Sequence, residues 1–205
     1  VAIIKLPLAC ILSYFIGCFN AAHFISTRIM HSDIRQYGSG NPGSANVLRA
    51  FGAKAAIAVF LIDALKGYIS MQLPLLFGIK SDVAWLFCGL AVISGHNWPV
   101  TLKFKGGKGV ATTIGASFAF APLLTFIILI ISLIVVAITK YVSVGALFGI
   151  GIASVILLFT NASAPIKALA CINFALSLFQ HRGNIQRLMS GTESKFNQKS
   201  GKNAG

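Results

Sequence analysis

The stretch Val110–Lys140, VATTIGASFAFAPLLTFIILIISLIVVAITK, decides how often this chain crosses a bilayer. Its apolar part, Val110 to Thr139, is 30 residues long. As one straight helix it would reach about 45 Å, well beyond a hydrocarbon core of about 30 Å. Pro122 stands where it can divide the stretch into Val110 to Ala121 and Pro122 to Thr139, because proline opens a helix readily and interrupts one from within.

The surrounding composition makes the membrane reading unavoidable. Of 205 residues 56% are hydrophobic and 10% charged, with a mean hydropathy of +0.82. An ordinary soluble domain carries about 25% charged residues. Further apolar runs extend from Val1 to Thr27, Ala53 to Phe77, Val83 to His96, Ser143 to Thr160 and Pro165 to Gln180. The first is long enough to span and lacks a small-residue cleavage site, so it reads as a retained span and not a signal peptide.

Charge chooses between six and seven spans, because Lys and Arg gather in cytoplasmic loops. With Val110 to Thr139 as one span, the basic residues other than Lys66 divide 8 against 8. With the break at Pro122 they divide 13 against Lys5, Lys80 and Lys167. The expected fold is therefore all-α, a polytopic membrane bundle of seven spans with its N-terminus out and its C-terminus in. Val110 to Ala121, about 18 Å as a helix, is too short to cross against lipid and must be sheltered by its neighbours, or the membrane must thin there. Residues 1–189 are expected to form a single membrane-embedded domain and 190–205 a polar, disordered cytoplasmic tail.

The net charge of +13 sits on a small polar surface and should attract anions. Most residues would lie in lipid, which excludes nucleic acid as the partner and favours phosphorylated small molecules or headgroups. The cysteines Cys10, Cys18, Cys88 and Cys171 lie within apolar runs, without the spacing of a zinc site, and read as packing residues.

On the basic face the first loop reads Gly38-Ser39-Gly40-Asn41-Pro42-Gly43-Ser44-Ala45-Asn46-Val47-Leu48-Arg49. Glycines let successive N–H groups converge, Asn41 and Asn46 add neutral partners, and a helix starting near Ser44 offers more donors. An anion fits there with Arg49 as its clamp; a tight loop between spans is the plain alternative. The second loop, Lys103-Phe104-Lys105-Gly106-Gly107-Lys108-Gly109-Val110-Ala111-Thr112-Thr113, lacks the glycine and hydroxyl spacing of a P-loop. Lys108 among Gly106, Gly107 and Gly109 at a helix start, with Thr112 and Thr113 in the first turn, still makes a phosphate site, and Thr112 is the hydroxyl expected to touch the substrate. Anchoring charge explains Lys103 and Lys105 but not the glycines.

The third element, His181-Arg182-Gly183-Asn184-Ile185-Gln186-Arg187-Leu188, sets His181 and Asn184 on one helix face. Ser143, by itself, reads as a helix N-cap on the same side. Asp63 and Lys66 are expected to pair within a span, and Asn20, His23 and Asn173 to bond between helices.

Together, in this order and across most of the chain, the three motifs resemble those of the bacterial acyl-phosphate:glycerol-3-phosphate acyltransferases, integral membrane proteins of seven spans. Gly38 to Arg49, Phe104 to Thr112 and His181 to Leu188 carry the likeness, followed by Gly191-Thr192-Glu193. One departure is Ser44-Ala45 before Asn46, where the family commonly has Ala-Thr. The resemblance implies that Ser39, Arg49 and Lys108 bind two phosphates and that Ser143, His181 and Asn184 hold glycerol 3-phosphate. It implies acyl transfer from acyl phosphate to glycerol 3-phosphate, giving 1-acylglycerol 3-phosphate and phosphate, the first acylation step of phospholipid synthesis. The same resemblance implies no metal or organic cofactor, no obligate protein partner, and a site on the cytoplasmic face of the bacterial inner membrane. The base is then His181 or a donor phosphate oxygen. The His-x4-Asp arrangement of other glycerolipid acyltransferases is missing, since Arg28, Gln36, Thr101 and Gln186 follow the four histidines at that distance. An organic-phosphate transporter is the rival reading, but it predicts inverted repeats and a mid-membrane site.

Overall fold

A computed structural model of the protein describes residues 2–203. Ten helices follow in chain order: α1 (Ala2–Cys18), α2 (Ala21–Arg28), α3 (Ser44–Phe51), α4 (Ala53–Leu76), α5 (Asp82–Asn97), α6 (Val110–Phe118), α7 (Pro122–Thr139), α8 (Val142–Leu158), α9 (Ala164–Gln180) and α10 (Arg182–Met189). No strand occurs among the described residues. The all-helical expectation holds. Four segments are long and apolar enough to cross a membrane: Ile4–Arg28, α4, Asp82–Leu102 and α7; α8 and α9 are apolar helices of 17 residues each.

Polarity runs inside out. Leu123, Ile138 and Phe159 are 72%, 74% and 87% exposed, whereas Asp63, Lys66 and Asn173 are buried. Such a surface is solvated by hydrocarbon, and only closed helices can satisfy their backbone there.

The first apolar run is divided rather than continuous. The Asn20 side chain accepts from His23 N at 2.8 Å and caps α2, the usual way a short polar side chain starts a helix. Its Nδ2 donates to Pro42 O at 3.0 Å, so Asn20 holds a loop and not a neighbouring span. Asn173 Oδ1, by contrast, has no hydrogen-bond partner, and His23 faces Asp33 at 3.6 Å.

Pro122 does open a new helix. The short α6 before it has 9 residues, about 14 Å, and lies along α4 and beside α5 and α7. Close approach is possible because Gly115 has no side chain: a Cβ there would come 1.7 Å from Ala64 O. On the far side of the same crossing, a Cβ on Gly67 would come 2.1 Å from Thr112 O.

α1 packs on α4 and α5, α5 on α9, α9 on α8, and α8 on α7. This order leaves a cavity between α4 and α6 on one side and α7 and α8 on the other. The motif loops close one end of the bundle; at the other end Lys5 Nζ donates to Phe77 O at 3.0 Å.

Residues 190–203, expected to be loose, lie across the loop end. Phe196 N donates to Lys140 O (2.9 Å), Ser200 N to Arg49 O (3.0 Å) and Asn203 N to Gln36 O (2.8 Å). Composition alone concealed this, because the partners are the backbone carbonyls of Gln36, Arg49 and Lys140, far away in sequence.

Candidate active site

The first loop is shaped from within. Gly38 and Gly40 have φ of +49° and +68°, and Asn46, reaching back from α3, donates to Tyr37 O at 2.8 Å and Ile34 O at 3.3 Å. Its Oδ1 accepts from Ser39 N at 3.4 Å. Asn46 borders the cavity, yet its amide braces the loop. Ser39 and Asn41 stand at the mouth, and Arg49, one turn into α3, lines the wall with its Nε unpartnered.

The second loop lies on the C-terminal end of α5. Gly106 N donates to Asn97 O at 3.2 Å and Gly107 N to His96 O at 3.0 Å. A Cβ on Gly107 would fall 2.1 Å from His96 Nε2, which explains a glycine there. Gly109, at φ +76°, turns the chain into α6. Lys108 is left at the helix start, where backbone N–H groups and the helix dipole favour an anion. Thr112 is fully buried against α4 and does not line the cavity; Thr113, one residue on and rotated about 100°, does. Of the two hydroxyls that helical spacing put in the first turn, Thr113 borders the cavity and Thr112, the one expected at the substrate, does not.

The third element closes the circle. α9 ends at Gln180 and α10 begins at Arg182, so the helix is kinked at His181, not continuous, but His181 and Asn184 still point inward and are buried. Lys108 Nζ donates to Asn184 Oδ1, and Gln180 Nε2 donates to Gly107 O at 3.3 Å. His181 Nδ1 lies 2.8 Å from Ser177 O. A carbonyl only accepts, so the proton is on Nδ1 and Nε2 keeps its lone pair.

Ser143 is not an N-cap: α8 starts at Val142 with Tyr141 as its cap. Its hydroxyl instead donates to Glu193 Oε1 at 3.0 Å. The same carboxylate accepts from Asn184 Nδ2 and, at 2.7 Å, from Arg187 Nε. Sequence reasoning gave Glu193 no role. Its signal was its isolation, since it is the chain's one Glu, set in a basic tail.

Electrostatics follow from burial. The Lys108 ammonium is pushed down to about 8 by burial, with Arg187 and Arg49 adding to the effect and Glu193 opposing it. Burial, then the charge of Lys108, lowers His181 to about 4, so it is neutral at pH 7. Arg49 is lowered by burial as well. For Glu193 burial acts upward, but the bonds from Asn184, Arg187 and Ser143 outweigh it and hold the carboxyl below its ordinary value.

Ser39, Arg49, Lys108, Ser143, His181 and Asn184 thus border one cavity of about 550 Å³. Below them its walls are apolar, among them Phe60, Ile114, Leu129 and Ile150. Ile57 and Leu133 line it and are 58% and 59% exposed, so it opens sideways on the lipid-facing surface between α4 and α7. A second, polar hollow lies outside Lys108, bordered by Gly40, Gly106, Gly107, Arg182 and Arg187. Gly38 borders neither. The arrangement can hold an anion with cations, a helix start and neutral hydrogen-bonders while accommodating an apolar chain.

Known proteins resemble this chain in sequence and fold. Residues 7–191 match the family model described as glycerol-3-phosphate acyltransferase. The chain is 45% identical over 196 residues to a glycerol-3-phosphate acyltransferase of Thermoanaerobacter sp. (strain X514), covering 94% of this chain and 96% of that protein. Identity to a glycerol-3-phosphate acyltransferase of Clostridioides difficile (strain 630) is 40% over 193 residues, with 92% and 94% covered. The crystal structure of PlsY, an integral membrane glycerol 3-phosphate acyltransferase, in its glycerol 3-phosphate form is similar with a TM-score of 0.87. Identity there is 35%, covering 94% of this chain and 96% of that one. Its lysophosphatidic acid form gives 0.84 at 34% identity, with 93% and 94% covered.

Proposed function

The chain belongs to the glycerol-3-phosphate acyltransferase family, and we propose that this integral membrane acyltransferase takes its acyl group from acyl phosphate. The products are 1-acylglycerol 3-phosphate and inorganic phosphate. The observation that carries the reading is the continuity of an apolar, side-opening cavity with the polar cluster of Ser39, Arg49, Lys108, His181 and Asn184.

A long acyl chain fits the apolar part, and its phosphate then meets Lys108, the start of α6 and the Ser39 loop. Glycerol 3-phosphate approaches from the loop side, where Arg49, Ser143, His181 and Asn184 stand. A hydroxyl oxygen of the acceptor attacks the acyl carbonyl carbon, the bond from that carbon to the bridging phosphate oxygen breaks, and phosphate leaves. Holding two anions side by side and neutralising the charge that develops on the leaving oxygen is most of the task, because the donor is already activated. His181, near 4 and bonded through Nδ1, is too weak a base for efficient proton removal at pH 7. Its Nε2 orients the acceptor hydroxyl, and the proton passes to a phosphate oxygen of the donor.

We place the motif loops on the cytoplasmic face of the inner membrane, with seven crossings if α1 and α2 count as one. The gathering of Arg49, Lys108 and Arg187 at one end supports that orientation. Residues 1–189 act as one domain. The family model and the relatives reported above are acyltransferases, which favours this reading over an organic-phosphate transporter. The deciding experiment offers purified protein glycerol 3-phosphate with palmitoyl phosphate, palmitoyl-CoA or palmitoyl acyl carrier protein. Lysophosphatidate is expected from palmitoyl phosphate alone; turnover with either thioester and not with the phosphate would overturn the donor assignment.

A further inference from the structure

Beneath the Gly106–Lys108 loop lies a buried ionic cluster to which the reaction proposed above gives no role, although Asp63 and His96 border the same cavity. Asp63 and Lys66 stand one turn apart on α4, and His96 is in the last turn of α5; all are buried. Lys66 Nζ lies 2.8 Å from Asp63 Oδ1 and 2.8 Å from His96 Nδ1. It also donates to Gly17 O at 3.1 Å and Phe19 O at 2.7 Å, carbonyls at the break between α1 and α2.

The ammonium's three protons are shared among four close acceptors, and the ring atom facing them presents a lone pair, so the His96 proton is on Nε2. That nitrogen faces Gly107, close enough that no Cβ fits between. The His96 carbonyl also receives Gly107 N–H. On the other side of Lys66, the break continues into Asn20, whose side chain donates to Pro42 O. Pro42 is three residues from Ser39, and Gly107 adjoins Lys108. Both anion-binding loops are tied to one ammonium.

Stability alone does not account for such a cluster. Replacing buried ion pairs by apolar residues of similar volume is often neutral or stabilising, so their retention calls for a geometric role. We infer that Lys66 is a positioning residue: through His96 on one side and the Phe19–Asn20 break on the other, it fixes the spacing of the Ser39 and Lys108 loops. The inference rests on the assignment of phosphate binding to those loops.

The test compares His96→Asn, His96→Gln and the double variant Asp63→Asn/Lys66→Met with the full-length wild type. Kinetics use palmitoyl phosphate and glycerol 3-phosphate, and unfolding temperature is measured in detergent. Asn leaves an acceptor for Lys66 but empties the space against Gly107; Gln extends an amide to where Nε2 was. Misplacement of the order of 1 Å costs about 100-fold, so His96→Asn is expected to lose about 10- to 100-fold in kcat. Its KM for glycerol 3-phosphate should move by less than about threefold and its unfolding temperature should hold. His96→Gln is expected to recover most of the rate, and the double variant to lose rate without losing stability.

Activity within about threefold of wild type in both His96→Asn and the double variant, on the same scale of misplacement, would overturn the inference. So would loss of rate that appears only together with loss of folded protein in both. A Lys108→Met control separates the two layers. If it keeps full activity, the phosphate assignment fails and takes this inference with it; if it is inactive while the cluster variants are not, this inference alone fails.

Discussion

The Lys108 ammonium donates to the side-chain oxygen of Asn184, joining the loop after α5 to a helix that lies 76 positions later in sequence. Glu193 receives the other end of the same amide. The cation proposed to meet phosphate and the carboxylate that gathers Ser143, Asn184 and Arg187 are thus two ends of one chain of hydrogen bonds.

Lys108 sets an alkaline limit on activity. Its ordinary value of 10.5 is lowered to about 8 in the folded protein, so the charged form prevails below about pH 8 and is lost as pH rises through it. The kcat/KM profile, which reports the free enzyme, should fall with that midpoint. Lys108→Arg should move the fall to higher pH, and Lys108→Met should abolish it while lowering kcat/KM about 100- to 1000-fold.

Glu193→Gln tests the carboxylate. Losing a buried charged acceptor costs about 1–3 kcal/mol, so the unfolding temperature in detergent should drop and KM for glycerol 3-phosphate should rise as Ser143 and Asn184 lose their anchor. The folded carboxyl is held below its ordinary 4.5. Its contribution is therefore complete above that value and is lost as pH falls through the folded one; the stability difference between wild type and Glu193→Gln should shrink under acid and persist at pH 7.

His181→Ala should raise KM for glycerol 3-phosphate and lower kcat, whereas Lys105→Ala, at an exposed loop tip, should change both by less than about threefold at moderate salt, as screened surface charges do. Equal losses would mean that basic charge in general, not the third motif, serves the acceptor.

Sidedness is open to labelling. Single cysteines at positions 108, 181 and 80, in a variant whose native cysteines are replaced, should react with an impermeant maleimide in two groups. The first two should be labelled from the cytoplasmic side and the third from the opposite side. Labelling of 108 and 181 from different sides would remove the shared site altogether.

Much of this architecture was legible in the sequence because it depends on local rules. Pro122 marked the start of α7, Gly109 the turn into α6, and the spacing of Asp63 and Lys66 their ion pair, since proline, glycine and helical periodicity act within a turn or two. What escaped depends on long-range placement. Nothing local to Asn20 distinguishes a cap that holds Pro42 from a polar residue bonding across helices. Thr112 and Thr113 differ by one step of rotation, which only the packing of α6 on α4 resolves. Glu193 acquires meaning from Ser143, 50 positions earlier, and the tail's order comes from the distant carbonyls of Gln36, Arg49 and Lys140.

The side opening between α4 and α7 gives the molecule two unlike points of exchange. In the reaction proposed above, the ionic halves of both reactants come and go through the loops, and the fatty half travels along the leaflet without being lifted from it. The bundle then behaves as a seam sewn between two solvents, and the traffic through each side can be hindered independently: by crowding anions at the loops, or by a bulky residue where Ile57 and Leu133 face the bilayer.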